Sequence, residues 1–192
     1  MKHEAKPPQQ IIAAAYQLLG HKGYDATTIK EIARAADVAP GLVHYYFASK
    51  DDLLLAVLQE AAKRYVAEVE KVGAALATDT LIEHAFTQTR DRVNQEPEWY
   101  RLRYELLSLG LRNPKLLAGL SNLLAEGRRC IAQVIRQVVK DSQVDADAIS
   151  PVLLACFDGL ALQKLADPSF DLEGAYQMLI QMFKSQIGSG NG

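Results

Sequence analysis

The sequence holds few of the residues on which covalent or metal frameworks depend. Its 192 residues include two cysteines, Cys130 and Cys156, and neither belongs to a CxxC pair or stands at metal-ligand spacing from histidine. A disulfide framework and a zinc site are therefore not expected, and no cofactor is predicted. Both cysteines lie in apolar helical patterns, which predicts small buried hydrophobic side chains.

Long uncharged apolar runs are also missing. No stretch approaches the roughly 18 uncharged residues that a membrane-spanning helix needs, and residues 1–8 are polar, unlike the start of a signal peptide. We therefore expect no membrane association and a cytoplasmic location. Alternating β-branched runs, which would indicate strands, do not occur.

Neither positive nor negative charge is in large excess. The formal net charge is -2 at pH 7, so the chain lacks the basic surplus that by itself indicates a nucleic-acid-binding protein. The distribution is less even, because residues 1–50 carry six Lys/Arg and four acids whereas the remainder carries 15 and 19. This weak asymmetry is compatible with a phosphate-facing N-terminal segment but does not identify one.

Helical periodicity runs through the whole chain. Thr28 to Glu31 and Ser49 to Asp52 have the capping-box form that begins a helix. Glycine, proline or polar segments separate the periodic stretches. The predicted helices cover 9–20, 28–37, a short segment from Pro40, 53–76, 79–95, 98–111, 115–141, 149–166 and 172–187.

The short helix that starts at Pro40 has an unusual outer surface. Val43 and Phe47 share the face that would pack on the first two helices, which leaves Gly41 and Tyr45 on the opposite face. Leu42 and His44 flank them, and Tyr46 lies nearer the buried side. A helix in a DNA major groove needs such a surface, because small residues allow close approach and polar aromatic groups reach base edges.

Groups suited to phosphate oxygens lie near the capped helix starts. They are the hydroxyls of Thr27 and Thr28 and the ammonium of Lys50. For any one residue, plain capping or half-buried packing is an equally good interpretation. The spacing of the whole set favours a helix-turn-helix that binds DNA.

Residues 11–50 resemble the N-terminal domain of the TetR family of bacterial transcription regulators. Gly23-Tyr24, Thr27-Thr28 and the run from Gly41 to Lys50 carry the resemblance. It implies a homodimer on a palindromic double-stranded DNA operator, with Pro40 to Tyr46 as recognition helix and with Thr28, Tyr46 and Lys50 holding phosphates. Two positions depart from the family pattern, since Ala39 replaces a small hydroxyl residue and His44 stands where tyrosine is most common.

The predicted fold class is all-α, with a three-helix DNA-binding domain followed by a larger helical domain for ligand binding and dimerisation. We place the first domain at 1–50, the second at 51–187 with a connector helix from 51, and a flexible tail at 188–192. The resemblance implies that the last two helices form the dimer. The dimerisation residues predicted there are Val152, Cys156, Leu160, Leu179 and Phe183.

The larger domain also offers an apolar and aromatic set with a few polar groups, which could line a pocket for a small-molecule effector or could be plain core. The run 157–163 resembles C-terminal domains of the betaine-regulator type. The predicted ligand-binding residues are Phe86, Trp99, Tyr100, Arg103, Tyr104, Leu107 and Phe157.

These patterns predict a repressor that a small molecule releases from DNA. The alternative is a helical sensor or carrier that binds a small molecule without reading DNA. An enzyme is not expected, because the sequence shows no nucleophile–base spacing, glycine-rich phosphate loop or metal pattern.

Overall fold

The computed structural model describes residues 6–73, 78–139 and 144–188, and the all-α prediction is confirmed for these residues. The described chain contains no strand and forms α1 (Pro7–Lys22), α2 (Ile29–Ala35), α3 (Pro40–Tyr46), α4 (Lys50–Gly73), α5 (Thr78–Gln95), α6 (Pro97–Gly110), α7 (Pro114–Val138), α8 (Ala146–Ala166) and α9 (Leu172–Gly188).

Local chemistry explains where the helix bounds differ from the predicted ones. α1 begins at Pro7 rather than residue 9, because proline suits the first helical turn. α8 begins at Ala146 rather than residue 149, because the Asp145 carboxylate accepts the N–H groups of Asp147 and Ala148 at 2.9 and 3.2 Å. The predicted ends at residues 76 and 141, and residues 189–192 of the predicted tail, lie outside the described residues.

The chain divides into two compact units. Unit 1 consists of Met1–Arg64 and Arg101–Leu123, and unit 2 of Tyr65–Tyr100 and Leu124–Gly192. α4, α6 and α7 therefore each contribute residues to both units. The units do not coincide with the predicted domains, and the division after residue 50 stays a prediction about function.

In unit 1, α1, α2 and α3 pack around a small apolar core. The side chains at its centre are at most 1 % exposed, and they are Ile11, Ala15, Leu19, Ile32, Ala33 and Val43. Each occupies the apolar face that the helical period predicts. This core holds α3 through one residue, Val43, and leaves the rest of that helix free to face outward.

The turn between α2 and α3 depends on a residue in the left-handed region. Asp37 has a φ of 53°, and the backbone N–H groups of Asp37 and Val38 donate to the carbonyls of Arg34 and Ala33 at 3.2 and 2.9 Å. A non-glycine residue pays about 1 kcal/mol or more for this conformation. The two hydrogen bonds close the helix end and set the angle at which α3 begins.

The predicted capping box at Thr28 is present. The Glu31 N–H donates to the Thr28 hydroxyl at 3.2 Å, and the Thr28 N–H donates to the Glu31 carboxylate at 2.9 Å. Lys22 forms an ion pair with the same carboxylate at 2.8 Å. The Lys22 ammonium and then the Thr28 donors lower the pKa of Glu31 to about 2.

A polar network anchors the α1–α2 turn to the rest of unit 1. Lys50 Nζ donates to the carbonyls of Tyr24 and Thr27, the second at 2.8 Å, and lies 4.0 Å from the centroid of the Tyr24 ring. The Tyr24 hydroxyl donates to Asp51. Burial and the adjacent Asp51 carboxylate raise the pKa of Tyr24, which therefore stays a neutral donor.

Two residues from later helices complete this anchoring network. The Tyr24 N–H donates to the Glu105 carboxylate of α6 at 2.6 Å. Asn113, which follows α6, donates to Asp51 Oδ2 at 3.1 Å. Burial raises the pKa of Glu105, so this carboxylate is desolvated where it receives the backbone N–H.

Unit 2 has an aromatic core formed by α5, α8 and α9. Phe86 meets Phe157 edge to face at 5.4 Å and lies 5.7 Å from Phe183. Phe157 stacks on Tyr176 at 5.9 Å between ring centroids. These contacts hold the last two helices against α5.

One helix, α8, is long and apolar enough to cross a membrane by length and composition alone. The apolar core helices of globular proteins pass the same test. Of its most apolar stretch, 17 % is buried within the chain, and the other residues of α8 are partly or largely exposed.

Replacing Glu31 with Gln tests the charge at the capping box. Gln keeps the box geometry but removes the ion pair with Lys22, so the variant should melt below the parent at pH 7. Because the folded pKa of Glu31 is about 2, below the usual value near 4.3, the charge stabilises the fold above pH ~4.5 and that stabilisation is lost as pH falls towards 2. The gap in melting temperature should therefore narrow across this window, and a gap independent of pH would contradict the assignment.

Replacing Tyr24 with Phe tests the anchoring network. The change removes the donor to Asp51 while the ring stays beneath Lys50, and Asn113 still donates to the same carboxylate. We expect the free energy of unfolding to fall by about 1 to 2 kcal/mol, measured by denaturant titration. Tyr45→Phe is the matched control, because the Tyr45 ring is 78 % exposed and should lose almost nothing; equal losses in both variants would disprove the network's contribution.

Candidate functional site

The outer face of α3 is the candidate DNA interface. Pro40 starts this helix of seven residues and Val43 is its buried residue. Gly41, His44 and Tyr45 are exposed, as predicted from the helical wheel. The same wheel predicted that Leu42 is exposed, but Leu42 is partly buried. The face therefore presents polar aromatic groups and no carboxylate or ammonium.

Side chains on this face are available to a partner. Tyr45 is 78 % exposed and Tyr46 is 39 % exposed, and their rings meet edge to face with centroids 5.0 Å apart. Among the described residues, no hydrogen bond or ion pair engages His44 or Tyr45. A Cβ added at Gly41 would meet nothing within 4 Å, so the glycine leaves open space beside the backbone.

The predicted phosphate-contacting residues have unequal positions. Thr28 is exposed, with its hydroxyl in the capping box. Thr27 is 1 % exposed, and its hydroxyl donates to the carbonyls of Gly23 and Leu18 at 2.8 and 3.3 Å. The Lys50 ammonium is likewise committed to backbone carbonyls. Thr27 and Lys50 therefore stabilise the α1–α2 turn in this structure, because their acceptors are backbone carbonyls of that turn and of the end of α1.

The predicted ligand-binding residues fall in both units. Within unit 2, Phe86, Trp99 and Tyr100 are buried and Phe157 is partly buried, with Phe86 and Phe157 in direct contact. Within unit 1, the predicted residues are Arg103, which is 4 % exposed, and the partly buried Tyr104 and Leu107. Phe86 and Phe157 belong to the aromatic core, which is the alternative that the sequence left open.

Sequence reasoning missed a buried cation in unit 2. Arg92 of α5 is 7 % exposed, and its guanidinium carbon lies 4.2 Å from the Tyr65 ring centroid and 4.5 Å from that of Trp99. One signal was available, because Arg92 stands 11 residues, close to three helical turns, after the buried Leu81. That spacing places both side chains on nearly the same side of α5.

The predicted dimerisation residues differ in exposure. Val152 is 58 % exposed, whereas Cys156, Leu160 and Leu179 are partly buried. Phe183 is 4 % exposed and packs against Phe86 within the chain. Three further apolar side chains of α8 and α9, outside the predicted dimerisation set, are each more than half exposed: Leu162, Met178 and Met182.

The two cysteines are free thiols, and each is partly buried. Within the described ranges, no group of three or more His, Cys, Asp or Glu side chains could hold a metal ion.

Two sequence families match the chain. Residues 11–57 match the family described as bacterial regulatory proteins, tetR family. Residues 77–185 match the family described as tetracyclin repressor-like, C-terminal domain. The suggested likeness of 157–163 to betaine regulators stays a prediction.

A curated relative extends the match along the chain. The HTH-type transcriptional regulator UidR of Escherichia coli K12 is 25 % identical over 149 residues, which cover 77 % of this chain and 74 % of UidR.

Solved structures share the fold. The transcriptional regulator FadR of Bacillus subtilis, in complex with stearoyl-CoA, matches with a TM-score of 0.76 and 17 % identity over 91 % of this chain and 96 % of its own. A putative transcriptional regulator of Saccharomonospora viridis, in complex with choline, matches with a TM-score of 0.77 and 21 % identity over 92 % of this chain and 95 % of its own. With the helix-turn-helix geometry of α2 and α3 and the two family matches, the chain belongs to the TetR family of DNA-binding bacterial transcription regulators.

Proposed function

We propose that this regulator is a sequence-specific repressor that binds a palindromic operator as a homodimer and leaves it when a small-molecule effector binds. The observation that carries the DNA half of this proposal is the exposed face of Gly41, His44 and Tyr45. The side-chain donors and acceptors of His44 and Tyr45 have no partners among the described residues, and a base edge in the major groove offers complementary groups.

The dimer half rests on an exposed apolar stripe along α8 and α9. On α8, Val152, Gly159 and Leu162 recur at helical spacing, and on α9 Met178 and Met182 lie one turn apart. Val152, Leu162 and both methionines are more than half exposed. Apolar side chains this exposed, on two helices that contact each other, favour burial against a second copy of the same surface.

Effector release requires a difference in affinity between two shapes of the dimer. The effector must favour a shape in which the two recognition helices no longer match major grooves about 34 to 36 Å apart. The fold suits such coupling, because α4, α6 and α7 contribute residues to both compact units. Relatives of the fold that bind stearoyl-CoA and choline support a small-molecule effector in general.

Selection from a randomised duplex library tests the DNA proposal without knowledge of the operator. The protein should enrich an inverted repeat whose half-site centres lie one or more helical turns apart. Affinity for the enriched site should fall as salt rises, with a negative slope of log affinity against log salt. Absence of an enriched motif, or affinity indifferent to salt, would contradict the proposal.

Two substitutions on α3 sharpen that test. Tyr45→Ala should weaken binding to the enriched site by about 1 to 3 kcal/mol, the range for one lost base contact. Gly41→Ala should leave stability unchanged or raise it by less than about 1 kcal/mol, because the added methyl meets nothing in the chain, yet it should weaken DNA binding by crowding the groove. Ser108→Ala, at an exposed position of α6, is the control that should change neither property.

Gly159→Arg tests the dimer surface. A Cβ at Gly159 meets nothing within 4 Å, and arginine is the better helix former, so the single chain should fold as before. Across the proposed interface the added charge would be buried without a partner, so sedimentation should show a shift from dimer to monomer. Gln133→Arg, at an exposed position of α7, should stay dimeric. A Gly159→Arg protein that is still dimeric would show that the interface does not include Gly159.

A further inference from the structure

Arg92 is a cation with little access to water. Its side chain is 8 % exposed, and it lies in unit 2 on α5. Removing a guanidinium from water costs several kcal/mol unless acceptors replace the lost hydration. The donors of Arg92 therefore need acceptors.

Only some of the Arg92 donors have acceptors among the described residues. The Tyr65 and Trp99 rings contact the guanidinium carbon at 4.2 and 4.5 Å, which stabilises the cation through its flat face. Nε donates to Glu96 at 3.2 Å, and the Glu96 side chain is 47 % exposed. Among the described residues, no hydrogen bond leaves Nη1 or Nη2, which together carry four N–H donors.

The aromatic walls are held in place. Thr89 donates its one hydroxyl proton to the Ala85 carbonyl at 2.8 Å, so the Tyr65 hydroxyl is the donor in its 3.1 Å contact with Thr89. Burial raises the pKa of Tyr65, and the phenol stays neutral. Trp99 is 6 % exposed. The guanidinium is thus held on both faces, and its Nη edge has no acceptor among these residues. Neither Nη atom is among the fully enclosed side-chain atoms of the described residues that lack a partner, so this edge is within reach of solvent or of a ligand.

Two other arginines of unit 2, Arg90 and Arg136, have carboxylates at their outer nitrogens. Arg90 has the carboxylates of Asp91 and Glu173, and the half-exposed Arg136 has Asp147 at 2.5 Å. Arg92 is more deeply buried than either, yet its one described carboxylate meets Nε and not the outer edge. The least hydrated of the three cations has the least complete set of acceptors.

We propose that the Nη edge of Arg92 binds the carboxylate of an organic acid, whose apolar body packs beside Trp99 and Tyr65. A planar guanidinium edge matches a carboxylate with two parallel hydrogen bonds, and burial strengthens both. The acid would be the effector class of this regulator, an identification that rests on the proposed function. Carboxylate binding itself does not depend on that function.

The sequence contains a built-in reporter for this site. Trp99 is the one tryptophan of the chain and it contacts the Arg92 guanidinium. The parent protein is titrated at pH 7 with octanoate and 3-phenylpropanoate, and in parallel with octan-1-ol and 3-phenylpropan-1-ol. We expect saturable changes in tryptophan fluorescence with at least one acid, and binding about 10- to 100-fold weaker for its alcohol.

Variants then locate the binding. Arg92→Met keeps the length of the side chain and should weaken the acid by the same factor when calorimetry is the readout, while leaving the alcohol nearly unchanged. Arg92→Lys keeps the charge but loses the planar edge, and should fall between the parent and Arg92→Met. Arg136→Met removes an exposed cation of the same unit and should bind like the parent.

The outcomes decide the proposal. Equal affinity for acid and alcohol, no saturable binding of either acid, or full acid affinity in a folded Arg92→Lys protein would overturn it and leave bound water as the acceptor. The acid–alcohol comparison uses the parent chain, so it stands even if Arg92→Met does not fold. Operator selection with the same preparation is scored separately: its failure counts against the proposed function, whereas carboxylate binding is judged by the titrations.

Discussion

The anchoring of the α1–α2 turn by Lys50, Tyr24, Asp51 and Glu105 is the constraint on which the DNA-facing geometry depends. The turn carries backbone carbonyls and an N–H that no helix satisfies, and side chains from α4 and α6 supply their partners. The Lys50 ammonium, the neutral Tyr24 phenol and the carboxylates of Asp51 and Glu105 thus replace water as hydrogen-bond partners around this turn. The position of α1 and α2, and through them of α3, follows from this replacement.

Two kinds of contact hold α1, α2 and α3 in place. Polar groups act at the α1–α2 turn, and apolar groups act in the core between the three helices. Ile32 and Val43 are fully buried on the inner faces of α2 and α3, which orients these two helices. The polar network connects the α1–α2 turn to α4 and α6 within unit 1. The exposed residues on the outer face of α3 take part in neither set of contacts.

Local features of the fold could be read from the sequence, and contacts made across the fold could not. The Thr28 capping box and the burial of Val43 follow from four-residue spacings within one helix, and both are present. Thr27 and Lys50 looked equally suited to phosphates, but the Thr27 hydroxyl donates to the Gly23 carbonyl of its own turn. The Lys50 ammonium donates to the carbonyls of Tyr24 and Thr27, more than 20 residues earlier, which only the packed chain brings within reach. Arg92 is a charged residue in a buried position, whereas its residue type alone predicts that it is exposed.

A similar distinction applies to the last two helices. Their apolar content was evident, yet the division between inner and outer faces was not, because α8 is apolar around much of its circumference. Phe183 found its partner in Phe86 of the same chain, whereas Met178 and Met182 found none of comparable burial. A surplus of apolar residues in the sequence therefore did not tell which of them are buried within the chain and which remain exposed.

The left-handed aspartate in the turn before α3 has a consequence for discrimination among DNA sequences. Asp37 is exposed and adds a negative charge immediately ahead of the reading helix, at a position where glycine would relieve the backbone. Such a charge repels every phosphate backbone alike and so weakens attachment to random duplex. The repulsion acts on an operator and on random duplex alike, so it lowers both affinities by a similar factor and leaves the discrimination between them to the base-edge contacts.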